Sequence, residues 1–486
     1  MSIPAVIFWI LAIFALFSPP VVAVYLFLGT AAFGALAVVP PDMVGGTNIL
    51  PQATAALILA ARVFADRRSR IFMFNAAKDL RGFGLEALFV VFAIIAAIAL
   101  PRIFAGRVFT VSMRSALETA QALQPTASNL AQATYLLINL IAGLSLFAFL
   151  ADDEGGRRRE QVLTAVLTSG VILALSGILD SASVFSPALK DFVTAFKNAN
   201  YELFFETSVL HVHRITGFFP EASAFGAAAV GLGGLIYFIR PAFRSDLART
   251  VLCPLTSLTL IALAAFSTSS TAYLGLGVFA IAVLARLIYR IVKTGTVRGM
   301  ELDAALGFVL AAMFVGILVF APDFTRAPLS ILDKMVLQKT QSGSFSQRSF
   351  WNRVAMQAFF DTYGLGVGPG GARTSNWLVA ILSNTGVLGF VLMGGFVVVS
   401  YLHRAIEGSR RSAALMTGAK YGFIVFLATE VAAGTTIDPG LLLATIMALM
   451  IGSSARVARY APARPVVRRR VVRREAPAEA GVRPAA

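Results

Sequence analysis

Two stretches of this chain carry residue types that could act on a substrate. The first is HVHRITGFFPEASAFG, His211–Gly226. Glu221 follows Pro220 at the head of an apolar run. Pro-Glu at a helix start is ordinary capping chemistry. A carboxylate a few residues into an apolar stretch is costly, though, unless it lines a wet cavity or meets a cation. Arg214 is the nearest cation in sequence. Ser223, Ala224 and Gly226 keep that helix end small, which leaves room for a substrate or for a close helix. His211 and His213 alternate with no third ligand nearby, so no metal site is expected there.

The second stretch is SQRSFWNRVAMQAFFDTYGLGVGPGGARTSNWLVAILSNTG, Ser346–Gly386. Arg348 and Arg353 lie five residues apart, about 140° around a helix. They do not share a strict face but can flank one anion, and arginine offers fixed two-pronged geometry to phosphate. The alternative is that both reach to lipid headgroups. Next come the glycines 364, 366, 368, 370 and 371. Glycine lets backbone N–H groups approach a phosphate, or lets the chain turn sharply. No Gly-Lys-Ser/Thr follows, so this is not a P-loop. The two stretches are expected to face each other and form one site. Glu430 is a further buried carboxylate, in the penultimate span, with no partner evident in the sequence.

The rest of the chain must position these residues. It has 486 residues, 57% of them hydrophobic and only 14% charged, against roughly 25% charged in a soluble domain. The fold class expected is an all-α polytopic membrane protein. Apolar runs approaching the roughly 20 residues of a crossing recur twelve or thirteen times, the first two short and divided by Pro19-Pro20. Met1–Phe17 has no basic n-region and reads as a membrane helix rather than a signal peptide. The single cysteine, Cys253, excludes an internal disulfide framework and a cysteine-rich metal site.

The net charge of +16 raises nucleic acid as a partner, but its distribution argues for membrane lipid instead. The tail Arg456–Ala486 holds nine arginines and two glutamates, and much of the remainder lies in short loops, where the positive-inside rule puts it. The basic loops Asp66–Arg81, Ala151–Glu160, Arg240–Arg249, Arg290–Arg298 and His403–Lys420 are therefore assigned to the cytoplasm. The tail joins them, as a disordered segment 456–486 after a membrane domain 1–455. This leaves Ala105–Ser128, Asp180–Gly217, Ser267–Thr271 and Ala321–Arg373 on the other side. The last breaks the charge rule with six Lys/Arg against three acids. Within it Pro328–Lys339 and Gln347–Tyr363 show helical apolar spacing, expected to lie flat on the membrane with Trp351 at the interface.

Taken together, these residues resemble the O-antigen ligase/Wzy-type polysaccharide polymerase family of bacterial inner-membrane proteins. Arg214, Glu221, Ser223, Phe225 and Gly226 are similar to that family's Glu-Pro-Ser-x-Phe-Gly stretch, with Ala222 in place of proline. Ser346, Arg348 and Arg353 lead into the glycine cluster and then Asn376, Leu382 and Gly386, like the family's large late loop. GTNILPQATAAL, Gly46–Leu57, looks like exopolysaccharide polymerases of the group. The layout is shared from about Gly46 to Ser453. One departure is Ser375, where ligases of the family usually carry a histidine before the asparagine.

The resemblance implies a GT-C-like superfold and a metal-independent glycosyltransferase without cofactor. The donor would be an oligosaccharide on undecaprenyl pyrophosphate, extended into exopolysaccharide or O-antigen-type polymer on the periplasmic face. Arg348 and Arg353, with Lys339, Arg214 and the loop of Gly364, Gly366 and Gly368, would hold the pyrophosphate. Asn376 would contribute to substrate binding. Glu221 would be the base or orient the acceptor hydroxyl, with His211 or His213 competing for that role and Ser223 beside it. A chain-length regulator is an implied partner. The alternatives are a ligase passing lipid-linked glycan to an acceptor such as lipid A core, and a transporter or flippase, which usually shows inverted repeats.

Overall fold

The structure is a computed structural model and describes residues 2–113, 119–153, 155–200, 208–209, 212–295, 301–306 and 343–461. The described residues form a helical, multi-pass membrane protein. Eight helices are long and apolar enough to cross a bilayer. They are α5 (Gly84–Ile103), α6 (Ala127–Ala151), α7 (Arg157–Ala182), α9 (Ala222–Ile239), α10 (Cys253–Phe266, extended by a preceding π-turn), α11 (Ser270–Thr294), α13 (Trp377–Tyr401) and α14 (Arg410–Ala433). The connecting and shorter helices among them are α4 (Arg67–Lys78), α8 (Pro187–Thr194) and α12 (Gly343–Asp361).

Of the twelve or thirteen expected crossings, eight form helices of full length among the described residues. Four more of those runs form shorter apolar helices: α1 (Ile3–Phe17), α2 (Pro20–Gly29), α3 (Pro51–Phe64) and α15 (Leu441–Gly452). At 1.5 Å per residue the helical part of each is shorter than a core about 30 Å thick. Proline at the head of α2 and α3 fixes where they begin. The candidate span Ala304–Phe320 lies almost wholly outside the described residues.

Apolar side chains face outward along the spans and the shorter apolar helices, among them Ile10 and Phe14 of α1, Ile95 of α5 and Val391 of α13. This is the pattern of helices solvated by lipid. Inside, α9 is the hub and packs against α7, α10, α11 and α14. Small residues permit this: a Cβ on Gly422 would sit 2.9 Å from the Leu235 Cα. In lipid, such close approach replaces the hydrophobic drive between helices.

The basic loops meet at one end. Arg68 and Arg158 both pair with Asp152, at 2.8 and 2.7 Å. Arg456 and Tyr460 reach Asp79 at 3.3 and 2.8 Å, which seats the start of the tail beside the Asp66–Arg81 loop; Val457–Tyr460 form a short 3-10 turn there, against the expectation of disorder from residue 456. At the opposite end the connections also knit together. Ala35 N–H donates to Phe218 O (2.9 Å), and Asn200 N–H donates to the Asn48 side chain (2.8 Å).

Candidate functional site

A cavity of about 360 Å³ opens between α2, α3, α7, α9, α14 and α15. It lies within the roughly 300–1,000 Å³ of ordinary small-molecule sites. Glu221 and Ser223 line it from the head of α9, and Glu430 from the last turn of α14. Glu221 holds the N-cap position yet makes no side-chain cap. Its carboxylate instead accepts the Ser223 hydroxyl. The helix begins at Ala222, so Glu221 stands at the helix mouth and not inside the span.

Glu430 is turned into the cavity by its surroundings. A Cβ on Gly434 would meet the Glu430 Oε1 at 2.7 Å and the Trp377 Cβ at 2.8 Å. Beyond Gly434 the chain is non-helical to Gly440, and this segment forms part of the wall. It is fixed from both sides. The Asp438 carboxylate accepts from the Asn139 amide (2.6 Å) and Gly440 N–H (3.0 Å), and Trp377 Nε1 donates to Ile437 O (3.3 Å). Asn139 is the midpoint of α6, so the segment reaches halfway down the bundle. Irregular backbone at that depth is tolerated where it is enclosed by protein or lines a cavity. It also explains why α15 has only 12 residues.

The entry to α9 is held by Asp180, which is 4% exposed at the end of α7. Its Oδ2 accepts from Thr216 N–H (2.7 Å), Thr216 Oγ1 (3.1 Å) and Gly217 N–H (3.1 Å). Lys197 Nζ lies 3.8 Å from Oδ1 and donates to Thr216 Oγ1 at 2.7 Å. Burial holds the Lys197 ammonium below the usual lysine range, with Asp180 pulling the other way. His213 Nε2 lies 3.6 Å from Asp180. This histidine therefore belongs to the anchor and not to the cavity lining, against the expectation that it contacts substrate. Arg214 is likewise not in the lining. His211 and Lys339 lie outside the described residues.

The second stretch also differs from expectation. Arg348 and Arg353 are on α12, half-buried and exposed respectively, and neither lines the cavity. Their helix is joined to its wall in two steps. Ser375 N–H donates to the Asn352 side chain (2.8 Å), and Thr374 Oγ1 to Thr435 O (3.3 Å). Trp351 is buried, with the Arg373 guanidinium 3.9 Å over its ring, rather than standing free at an interface. Asn376 caps α13, its side chain accepting from Leu378 and Val379 N–H at 3.0 and 3.2 Å.

The glycine cluster is a splint for a broken helix, not a phosphate cradle. α13 is interrupted at Gly386, where φ is 65°. The break frees the carbonyls of Ser383 and Asn384, and these accept from Val367 and Gly368 N–H, both at 2.9 Å. Gly364 N–H goes to Phe359 O (2.9 Å) and Gly366 N–H to Thr362 Oγ1 (3.0 Å). The donors expected for phosphate at 364, 366 and 368 are thus already engaged. Gly366 has φ of 85°, and a Cβ there would lie 2.8 Å from Asn384 C and Gly386 N, so only glycine fits. Asn384 completes the splint by accepting from Gly371 and Ala372 N–H, both at 3.1 Å. Asn384→Ala should leave those two buried donors unpaired and cost about 2 kcal/mol. A lowered melting temperature in detergent checks this, and an unchanged one would show the splint to be dispensable.

Sequence reasoning missed Asp180, Asp438 and Gln52, which also lines the cavity. Asp438-Pro439-Gly440 carried a turn signal that could have shown the interruption before α15. Gln52 lay inside the Gly46–Leu57 stretch without a role. The chain matches no protein-family model and no curated protein.

Proposed function

We propose that this protein is a glycosyltransferase that polymerises oligosaccharide repeat units carried on undecaprenyl pyrophosphate, in a GT-C-like membrane scaffold. The observation that carries the reading is the cavity holding Glu221, Ser223 and Glu430, lined from the head of α9, the end of that helix away from the basic Arg240–Arg249 loop. The positive-inside rule puts that end on the non-cytoplasmic side, which in this reading is the periplasmic face of a bacterial inner membrane. The motif order around Arg214–Gly226 and Ser346–Gly386 supports the same reading.

In this scheme the acceptor sugar enters the cavity and Glu221 takes the proton of its hydroxyl. The oxygen attacks the anomeric carbon of the donor, and the bond to pyrophosphate breaks. The departing charge stays near the surface, where Arg348 and Arg353 on α12 can meet it. The Asn352–Ser375 and Thr374–Thr435 hydrogen bonds couple that helix to the cavity wall.

Deleting the gene in its host should leave single lipid-linked repeats, with long polymer restored by complementation. Gel sizing of membrane glycan reads this. Long polymer persisting on the lipid carrier without transfer would instead mark a ligase. Unchanged polymer and unchanged precursors would overturn the enzymatic reading.

A further inference from the structure

We infer that the cavity admits the acceptor as a neutral or amino-bearing sugar ring and turns away sugars that carry a carboxylate or phosphate; this rests on the transferase reading above. Among the described residues that line the cavity there is no lysine, arginine or histidine. Two carboxyl side chains, Glu221 and Glu430, stand in it instead. An anionic sugar would surrender its hydration and find no cation, and an unpaired buried charge is strongly disfavoured. Whether a carboxyl group donates or accepts, it still matches the hydroxyls of an uncharged sugar or the amine of an amino sugar.

The other lining groups fit the same ligand. Ser169 is 1% exposed, lines the cavity, and its Oγ has no hydrogen-bond partner. Buried hydroxyls are normally satisfied, so this one is available to a ligand hydroxyl. Gln52 adds an amide that can both donate and accept. The rings of Phe219 and Phe426 supply apolar surface for the C–H face of a sugar. At about 360 Å³ the cavity has room for a sugar ring. The diphosphate likewise finds no cation among the described lining residues, and Arg348 and Arg353 stand apart on α12.

The test uses the purified full chain in lipid nanodiscs with three soluble probes: methyl glucoside, methyl glucosaminide and methyl glucuronide. Saturation-transfer NMR titration should show the first two binding at least about tenfold tighter than the glucuronide, a 1.4 kcal/mol difference. In the double variant Glu221→Gln, Glu430→Gln that gap should narrow to about threefold or less. Ser169→Ala should weaken the glucoside without improving the glucuronide. A glucuronide that binds as well as the glucoside overturns the inference, and so does the failure of all three probes to bind. The outcomes separate from the parent reading. If discrimination is found but gene deletion leaves polymer intact, the transferase assignment fails and the cavity's selectivity stands. If deletion leaves single repeats but discrimination is missing, the selectivity alone fails.

Discussion

Glu221→Gln should reduce polymer formation by about 10²–10⁴-fold, the contribution of one positioned acid–base group. The substitution is nearly isosteric. The amide oxygen can still accept the Ser223 hydroxyl as the carboxylate does, so the head of α9 should keep its geometry. What is lost is the ability to take a proton. Protein level and melting temperature in membranes should therefore stay near those of the parent while glycan collapses toward single repeats. Ser223→Ala serves as a comparison. It removes only the hydroxyl that orients the carboxylate, so it should cost far less activity. Full polymer length from Glu221→Gln at normal protein level would place the base elsewhere, and Glu430 would be the next residue to replace.

The second large effect is expected from Asp180→Ala, as a loss of stability of about 3–5 kcal/mol, the range for breaking a buried charged pair by removing one partner. Asp180 accepts from two backbone N–H groups and from Thr216 Oγ1, and Lys197 lies 3.8 Å away. Alanine strands the donors and leaves the largely buried Lys197 ammonium without its carboxylate, with Thr216 Oγ1 still beside it. The segment cannot easily readjust: Gly217 sits at φ 53°, and a Cβ there would lie 2.8 Å from the Phe225 ring. Since this turn delivers the chain to Glu221, activity should fall with stability. Asp180→Asn keeps one acceptor oxygen and should lose less of both. Thermal unfolding in detergent, followed by size-exclusion of the surviving fraction, measures the order wild type, Asn, Ala. If Asp180→Ala melts with the parent, the anchor does not hold the turn.

The sequence by itself determined the membrane class, because hydropathy over a span is a local sum that needs no tertiary partner. It also determined which loops share an end. Charge clusters read as cytoplasmic do meet in the structure, as the Arg68–Asp152–Arg158 and Arg456–Asp79 contacts show. It drew attention to Glu221 and Ser223, which line the cavity, since a carboxylate beside an apolar run is anomalous in any fold.

Only the tertiary structure decided how those residues are grouped. Glu430 was visible as a buried carboxylate, but its approach to the Glu221 cavity depends on α9 packing against α14 through glycine contacts distant in the chain. The helix break at Gly386 was equally hidden. Once it exists, its freed carbonyls must be satisfied, and this commits the glycine loop to hydrogen bonds within the protein. A run of glycines states only that backbone can come close to something. Which partner it meets, a phosphate or a broken helix, is fixed by whatever the fold brings alongside.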